Sequence, residues 1–190
     1  MGRPKLLLPL GTQTVLERVV AAVRAGGIAE VLVVVGPADS GLTQAAEATG
    51  AHVLQLERDT GEMRETCLAG LGWLENRFHP SPEDGWLLLP ADHPTIRADV
   101  IEAIVAAAGR HPEHSIFVPE HEGKRGHPVW LRWPHAAEVG ALRAGVGLNA
   151  LVRRHAAATM RLPWPSPEIL FDLDTPEDYR RLCDSVGHED

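Results

Sequence analysis

Four places in this 190-residue chain gather side chains able to meet a phosphate or a divalent cation. The first is the opening, Met1-Gly2-Arg3-Pro4-Lys5-Leu6-Leu7-Leu8-Pro9-Leu10-Gly11. A lysine just past a Gly/Pro turn and ahead of an apolar stretch and a helix is a common way to meet an anionic substrate. A glycine-rich loop that cradles phosphate normally follows a β-strand. The second is Asp92, in Leu89-Pro90-Ala91-Asp92-His93-Pro94, just beyond an apolar run. At the carboxyl end of a buried strand a carboxylate faces the ligand crevice, where it could hold Mg²⁺ together with substrate phosphates. It could equally cap a helix beginning after Pro94.

The third place is Asp172 and Asp174, in Ile169-Leu170-Phe171-Asp172-Leu173-Asp174-Thr175-Pro176-Glu177-Asp178. The apolar lead-in is strand-like, and residues i and i+2 of a strand share a face. Two carboxylates so placed raise one another's pKa unless a cation neutralises them. Either of the two suits a metal, while Asp174 or Thr175 suits the N-cap of a helix whose first turn holds Glu177 and Asp178. The fourth is Glu120 to Pro128, where glycines flank Lys124-Arg125 and His127 follows. This basic loop could close on phosphate; a solvated hairpin turn is the plainer reading.

The elements that must position these residues alternate. Apolar residues at Val15, Leu16, Val19, Val20 and Val23 predict a helix over 14–25, ended by Gly26-Gly27. Val31 to Val35 is a β-branched run bounded by Gly36-Pro37, the pattern of a strand buried on both faces. A short helix over 42–49, a strand over 52–56 and a helix over 62–78 follow. Strands are expected over 86–89, 115–118 and 129–131, with a helix over 98–108 between the first two. The β-α alternation predicts a single α/β domain over 1–190, a three-layer, mostly parallel, doubly wound sheet. The Pro-rich stretch 163–167 is too short to divide it and reads as a loop.

A net charge of −8 argues against non-specific binding to nucleic acid or to a membrane surface. No apolar run approaches the ~20 residues of a membrane span, and no signal peptide is visible. The two cysteines, Cys67 and Cys183, form no metal spacing and read as reduced thiols of a cytoplasmic protein. Ten histidines match no zinc pattern. A Gly-x-Ser-x-Gly elbow and a Gly-x-Gly-x-x-Gly fingerprint are both absent.

In order along nearly the whole chain, these segments resemble the MobA-like nucleotidyltransferases, especially the molybdenum cofactor cytidylyltransferase branch. Met1-Gly2-Arg3-Pro4-Lys5-Leu6-Leu7 matches the last part of the family's opening motif. Pro90-Ala91-Asp92-His93-Pro94 matches its Asp-x-Pro metal motif, Arg125-Gly126-His127-Pro128 its Arg-Gly-His-Pro loop, and Asp172-Leu173-Asp174-Thr175-Pro176-Glu177-Asp178 its closing motif. The resemblance implies a Mg²⁺-dependent transfer of a nucleoside monophosphate from CTP or GTP to a phosphorylated acceptor such as molybdopterin, with release of pyrophosphate. It implies nucleotide contacts by Gly2, Arg3, Lys5 and Arg64, with Lys5 and Asp92 as the catalytic pair. Metal ligation would fall to Asp92, Asp172 and Asp174, and acceptor binding to Arg125, His127 and Asn149. A partner enzyme of the molybdenum cofactor pathway is a further implied associate.

The chain departs from the family where Arg64-Glu65-Thr66 replace serines and where Gly147 to His155 replace a Gly-Ala-Arg-type segment, so another acceptor, such as a sugar phosphate, is open. The family's first strand and its Leu-Ala-Ala-Gly loop have no counterpart in the sequence, and Met1 falls on the Met inside the opening motif. The expectation is a natural reading frame that extends upstream. A relative that binds nucleotide or metabolite without catalysis is the alternative from a different class.

Overall fold

The computed structural model describes residues 4–186. After a 3₁₀ turn at Lys5–Leu7, two short strands, β1 (Pro9–Leu10) and β2 (Gln13–Thr14), lead into α1 (Val15–Ala25). Thr14 and Glu17 form a reciprocal capping box that fixes the start of α1. There follow β3 (Leu32–Val35), α2 (Ser40–Ala48), β4 (His52–Gln55), α3 (Met63–Phe78), β5 (Gly85–Leu88) and α4 (Ala98–Arg110). The second half holds β6 (Ile116–His121), β7 (Lys124–Arg125), β8 (Val129–Arg132), α5 (His135–Gly140), α6 (Asn149–Arg154), β9 (Thr159–Pro163) and α7 (Pro176–Val186).

β3 and β4 pair in parallel. β8 opposes both β5 and β6, and β9 lies parallel to β6. β5, β6 and β9 therefore run one way, with β8 as the reversed member. The apolar runs are continuous because both faces of the sheet are covered. Phe117, Leu87 and Trp130 turn toward α1 and α4. Ile116, Val118, Trp86, Val129 and Leu131 turn toward α3, α5 and α6. Leu16 and Val20 of α1 join Val35, Leu42 and Ala46 in a third cluster under α2. The result is the three-layer α/β arrangement expected from the sequence.

The sheet has an interruption at its centre. Among the described residues, β3 pairs only with β4 and β5 only with β8, which leaves an unpaired edge on each. Between them lies a cavity of about 790 Å³. One wall is Leu16, Val19, Val20 and Val23 of α1; the other is Cys67, Gly70, Leu71 and Leu74 of α3. Lys5 and Asp92 stand at one end. Burial pushes the Cys67 thiol up to about 12, so it behaves as an apolar wall group. Two facing edges roofed by apolar helices make a slot shaped for one extended, apolar segment, where every inserted amide finds a partner.

An apolar five-residue strand followed by a short glycine-rich link, fused ahead of residue 1, is expected to raise the melting temperature by more than about 5 °C. Each buried apolar side chain contributes roughly 1.5–3 kcal/mol before ordering costs, and roughly 2–4 °C accompanies each kcal/mol at this size. An unchanged melting curve would show that the slot is closed in solution.

Candidate active site

The strand ends gather the charged residues. The 3₁₀ turn at Lys5–Leu7 is closed by the Leu7 amide donating to the Pro4 carbonyl at 3.0 Å. Leu6 and Leu7 pack into the α1–α2 cluster. With these leucines anchored, Lys5 turns the other way. Its Nζ donates to Asp92 Oδ2 at 2.7 Å and to Asp174 Oδ1 at 3.1 Å, joining residues 87 and 169 positions apart. The Leu173 amide donates to the Asp92 carbonyl at 2.8 Å, and Leu173 itself is fully buried. This pins the C-terminal segment beside the end of β5. Burial works against the Lys5 ammonium, but the hydrogen bonds and charges of Asp92 and Asp174 outweigh it and raise its pKa above the usual value.

Asp92 does not cap a helix. α4 begins at Ala98, four residues beyond Pro94, with Arg97 at its N-cap position. The strand expected from Ile169 to Asp172 is also absent: Pro167–Leu170 forms a 3₁₀ turn and the chain then runs extended without a ladder. β9 already occupies the edge of β6, and Pro167 starts the turn. Asp174 still reaches Lys5 because Leu173, between the two aspartates, is the residue that points inward. Asp172 is exposed and acts on the site through its charge, which favours protonated His93. Thr175 is the helix cap, accepting from the Asp178 amide at 3.2 Å while Asp178 accepts from the Thr175 amide at 2.8 Å.

The Arg-Gly-His-Pro segment divides in two. Glu122 and Gly123, both at positive φ, make a tight turn between β6 and β7. Arg125 lies on this hairpin opposite Glu120 and lines neither cavity, so the structure does not bring it to the site. Gly126 is where the chain crosses under Ile169. A Cβ there would sit 2.4 Å from the Ile169 carbonyl oxygen, which accepts the His127 amide at 2.9 Å. That close crossing delivers His127 to the site, its ring 4.7 Å from that of His93. Burial pushes the His127 imidazole down to about 4, helped by repulsion from His93. Burial lowers His93 as well, against the pull of Asp92 and Asp172. The sequence reading overlooked His93, the middle residue of Asp-His-Pro. Its signal was adjacency to Asp92 between an apolar strand and a proline.

Beside this cluster a pocket of about 420 Å³ is lined by Glu62, Arg64, Trp86, His127, Leu148 and Asn149, among others. Glu62 Oε1 accepts the Gly145 amide at 2.8 Å and ties the 143–148 loop to the start of α3. The Arg64 side chain is only 14% exposed. Three polar atoms of this lining are buried without a hydrogen-bond partner: Arg64 Nε, Trp86 Nε1 and His127 Nδ1. Asn149 opens α6 and is exposed on the pocket wall. Gly2 and Arg3 lie outside the described residues.

Carboxylates, a lysine and an arginine collect at the carboxyl ends of sheet strands, where open α/β sheets bind their ligands. The chain belongs to the family of MobA-like NTP transferase domains, whose model matches residues 1–159. It is 32% identical, over 98% of its own length and 84% of the other's, to a phosphoenolpyruvate guanylyltransferase of Rubrobacter xylanophilus. Among solved structures it is similar to the manganese complex of Rv0371C from Mycobacterium tuberculosis H37Rv, with 28% identity, TM-score 0.76 and coverage of 96% and 93% of the two chains. It is similar also to the homologue of that protein from Mycobacterium sp. strain JC1, with 26% identity, TM-score 0.81 and coverage of 100% and 91%. The fold is that of the nucleotide-diphospho-sugar transferases, and the chain is a nucleotidyltransferase.

The His127 shift carries a sign. In the unfolded chain the imidazole takes up its proton near pH 6.5, whereas in the fold it does so only near 4. Between these values the unfolded state holds more protons, so stability falls as pH drops from 6.5 to 4, by about 3 kcal/mol from this group. Denaturant unfolding at pH 7 and pH 4 is expected to show a loss smaller by that amount in His127→Gln. Equal losses in the two proteins would place His127 in water.

Proposed function

We propose that this chain transfers a nucleoside monophosphate from CTP or GTP to a small phosphorylated acceptor and releases pyrophosphate. The observation that carries the reading is the Lys5 ammonium held between Asp92 and Asp174, next to a pocket with three buried polar atoms that make no hydrogen bond. Lys5 stands in for a cation between two carboxylates, and all-oxygen donors suit a hard divalent ion such as Mg²⁺ or Mn²⁺. Asp92 and Asp174, with Asp172 beside them, would hold that ion. When bound, it supplies charge neutralisation at the transferred phosphoryl group.

The chain's own residues do the rest. Lys5, released from the carboxylates, meets the triphosphate as a point charge. An acceptor phosphate oxygen attacks the α-phosphorus; the new P–O bond forms as the bond to the bridging oxygen breaks, and pyrophosphate leaves with that electron pair. The attacking oxygen is already anionic, so no base is required, and positioning dominates. Neutral His127 and the Trp86 indole offer N–H donors to the acceptor, and Arg64 its guanidinium. Asn149 stands at the pocket rim.

Molybdopterin and phosphoenolpyruvate are the two acceptors to distinguish. Arg64 in place of a serine favours a compact dianion or a carboxylate, and a relative 32% identical is a phosphoenolpyruvate guanylyltransferase. Pyrophosphate release, measured with CTP and GTP against molybdopterin, phosphoenolpyruvate and sugar phosphates, tests the reading. The expected result is turnover with one pairing, lowered at least about a hundredfold by Asp92→Ala. Arg64→Ala is expected to raise the acceptor KM roughly 10- to 100-fold and leave the nucleotide KM unchanged. Nucleotide-dependent stabilisation without pyrophosphate release from any pairing would make the chain a binding protein instead.

A further inference from the structure

A second cluster of ligating side chains lies apart from this site. His135 and Glu138 sit three residues apart on α5 and so share a face; His155 follows α6. His135 Nδ1 is 2.8 Å from Glu138 Oε1, and His155 Nε2 is 2.7 Å from Glu138 Oε2. The two rings are 4.6 Å apart, and the three donor atoms lie within 4.8 Å of one another. No regular spacing announces them in the sequence, which is why the histidines suggested no zinc pattern there.

We propose that His135, Glu138 and His155 bind a divalent transition metal of the zinc class, separate from the oxygen-ligated cation of the strand ends. Two imidazoles and one carboxylate are donors that suit Zn²⁺, Co²⁺ or Ni²⁺ and not Mg²⁺. His135 is buried, and its other nitrogen, Nε2, is 2.8 Å from the Ser115 hydroxyl at the start of β6. That contact fixes the ring and leaves Nδ1 aimed at Glu138, as an outer partner does for a ligating histidine. The Ser115 hydroxyl accepts the Nε2 proton once Nδ1 is engaged. Glu138 and His155 are about one-third exposed, which gives entry and room for a water as fourth ligand. Arg154 Nη1, 3.7 Å from Glu138 Oε2, is a surface side chain free to swing away. The ion would clasp α5 to the end of α6, whose Asn149, Leu151 and Val152 line the acceptor pocket.

The test is binding by the full chain, metal-stripped and then titrated with Zn²⁺ or Co²⁺. The expected result is one ion per chain and a melting temperature raised by at least about 5 °C at a hundredfold excess over the dissociation constant. Bound Co²⁺ should give the intense visible absorption of a four-coordinate ion. Glu138→Gln and His155→Ala, both at partly exposed positions, should abolish the absorption and the shift, while Asp92→Ala keeps them. Failure to take up Zn²⁺ or Co²⁺ at micromolar concentration, or uptake by the Asp92→Ala chain that survives both substitutions, would overturn the proposal. None of these readouts depends on turnover, so the transferase reading stands or falls separately.

Discussion

The structure turns on a charge constraint at the carboxyl end of β5. Asp92 and Asp174 approach a common point from segments 82 positions apart, and two carboxylates brought together in a crevice demand a cation. Lys5 supplies it. That one ammonium ties the first turn of the described chain to the central sheet and to the segment leading into α7. The Leu173 amide on the Asp92 carbonyl reinforces the same junction through the backbone. In the proposed transfer Asp92 and Asp174 would hold a divalent ion and Lys5 would meet the triphosphate.

The slot between β3 and β5 ends at this junction, with Lys5 and Asp92 in its lining. The helices beside it line it with aliphatic side chains, and the β3 and β5 edges that face it are unpaired among the described residues. An extended segment placed there would end beside Lys5 and Asp92.

Much of the fold was legible because local and tertiary signals agree. Thr14 and Glu17 cap the helix that the Val15–Val23 spacing predicts, and the β-branched run 31–35 becomes β3, in which Val35 is buried and the other three residues are partly covered. The site was legible where short motifs coincide with strand ends, as at Asp92. It was not where neighbours decide. Ile169 to Asp172 has the composition of a strand, but the β6 edge is already held by β9. Arg125 shares a motif with His127, yet Gly126 marks the crossing under Ile169 that sends one to the hairpin and the other to the site. The His135–Glu138–His155 cluster needs the packing of α5 beside the end of α6, which no spacing in the sequence states.

The acceptor pocket follows a different logic from the cation site beside it. Much of its floor is apolar sheet and helix, and a donor buried there without a partner costs roughly 1–3 kcal/mol. Trp86 Nε1 is such a donor, His127 Nδ1 is a buried nitrogen without a hydrogen bond, and Arg64 Nε has only the long contact to Glu62. Burial keeps His127 neutral, so it adds no charge. The single full charge of the three is the Arg64 guanidinium, partly balanced by Glu62 at 3.5 Å. Glu62 also accepts the Gly145 amide at 2.8 Å, so one carboxylate touches both Arg64 and the 143–148 loop. In the proposed transfer an oxygen-rich acceptor head would meet the Arg64 guanidinium and the Trp86 N–H, which a neutral acceptor of the same size would leave unused.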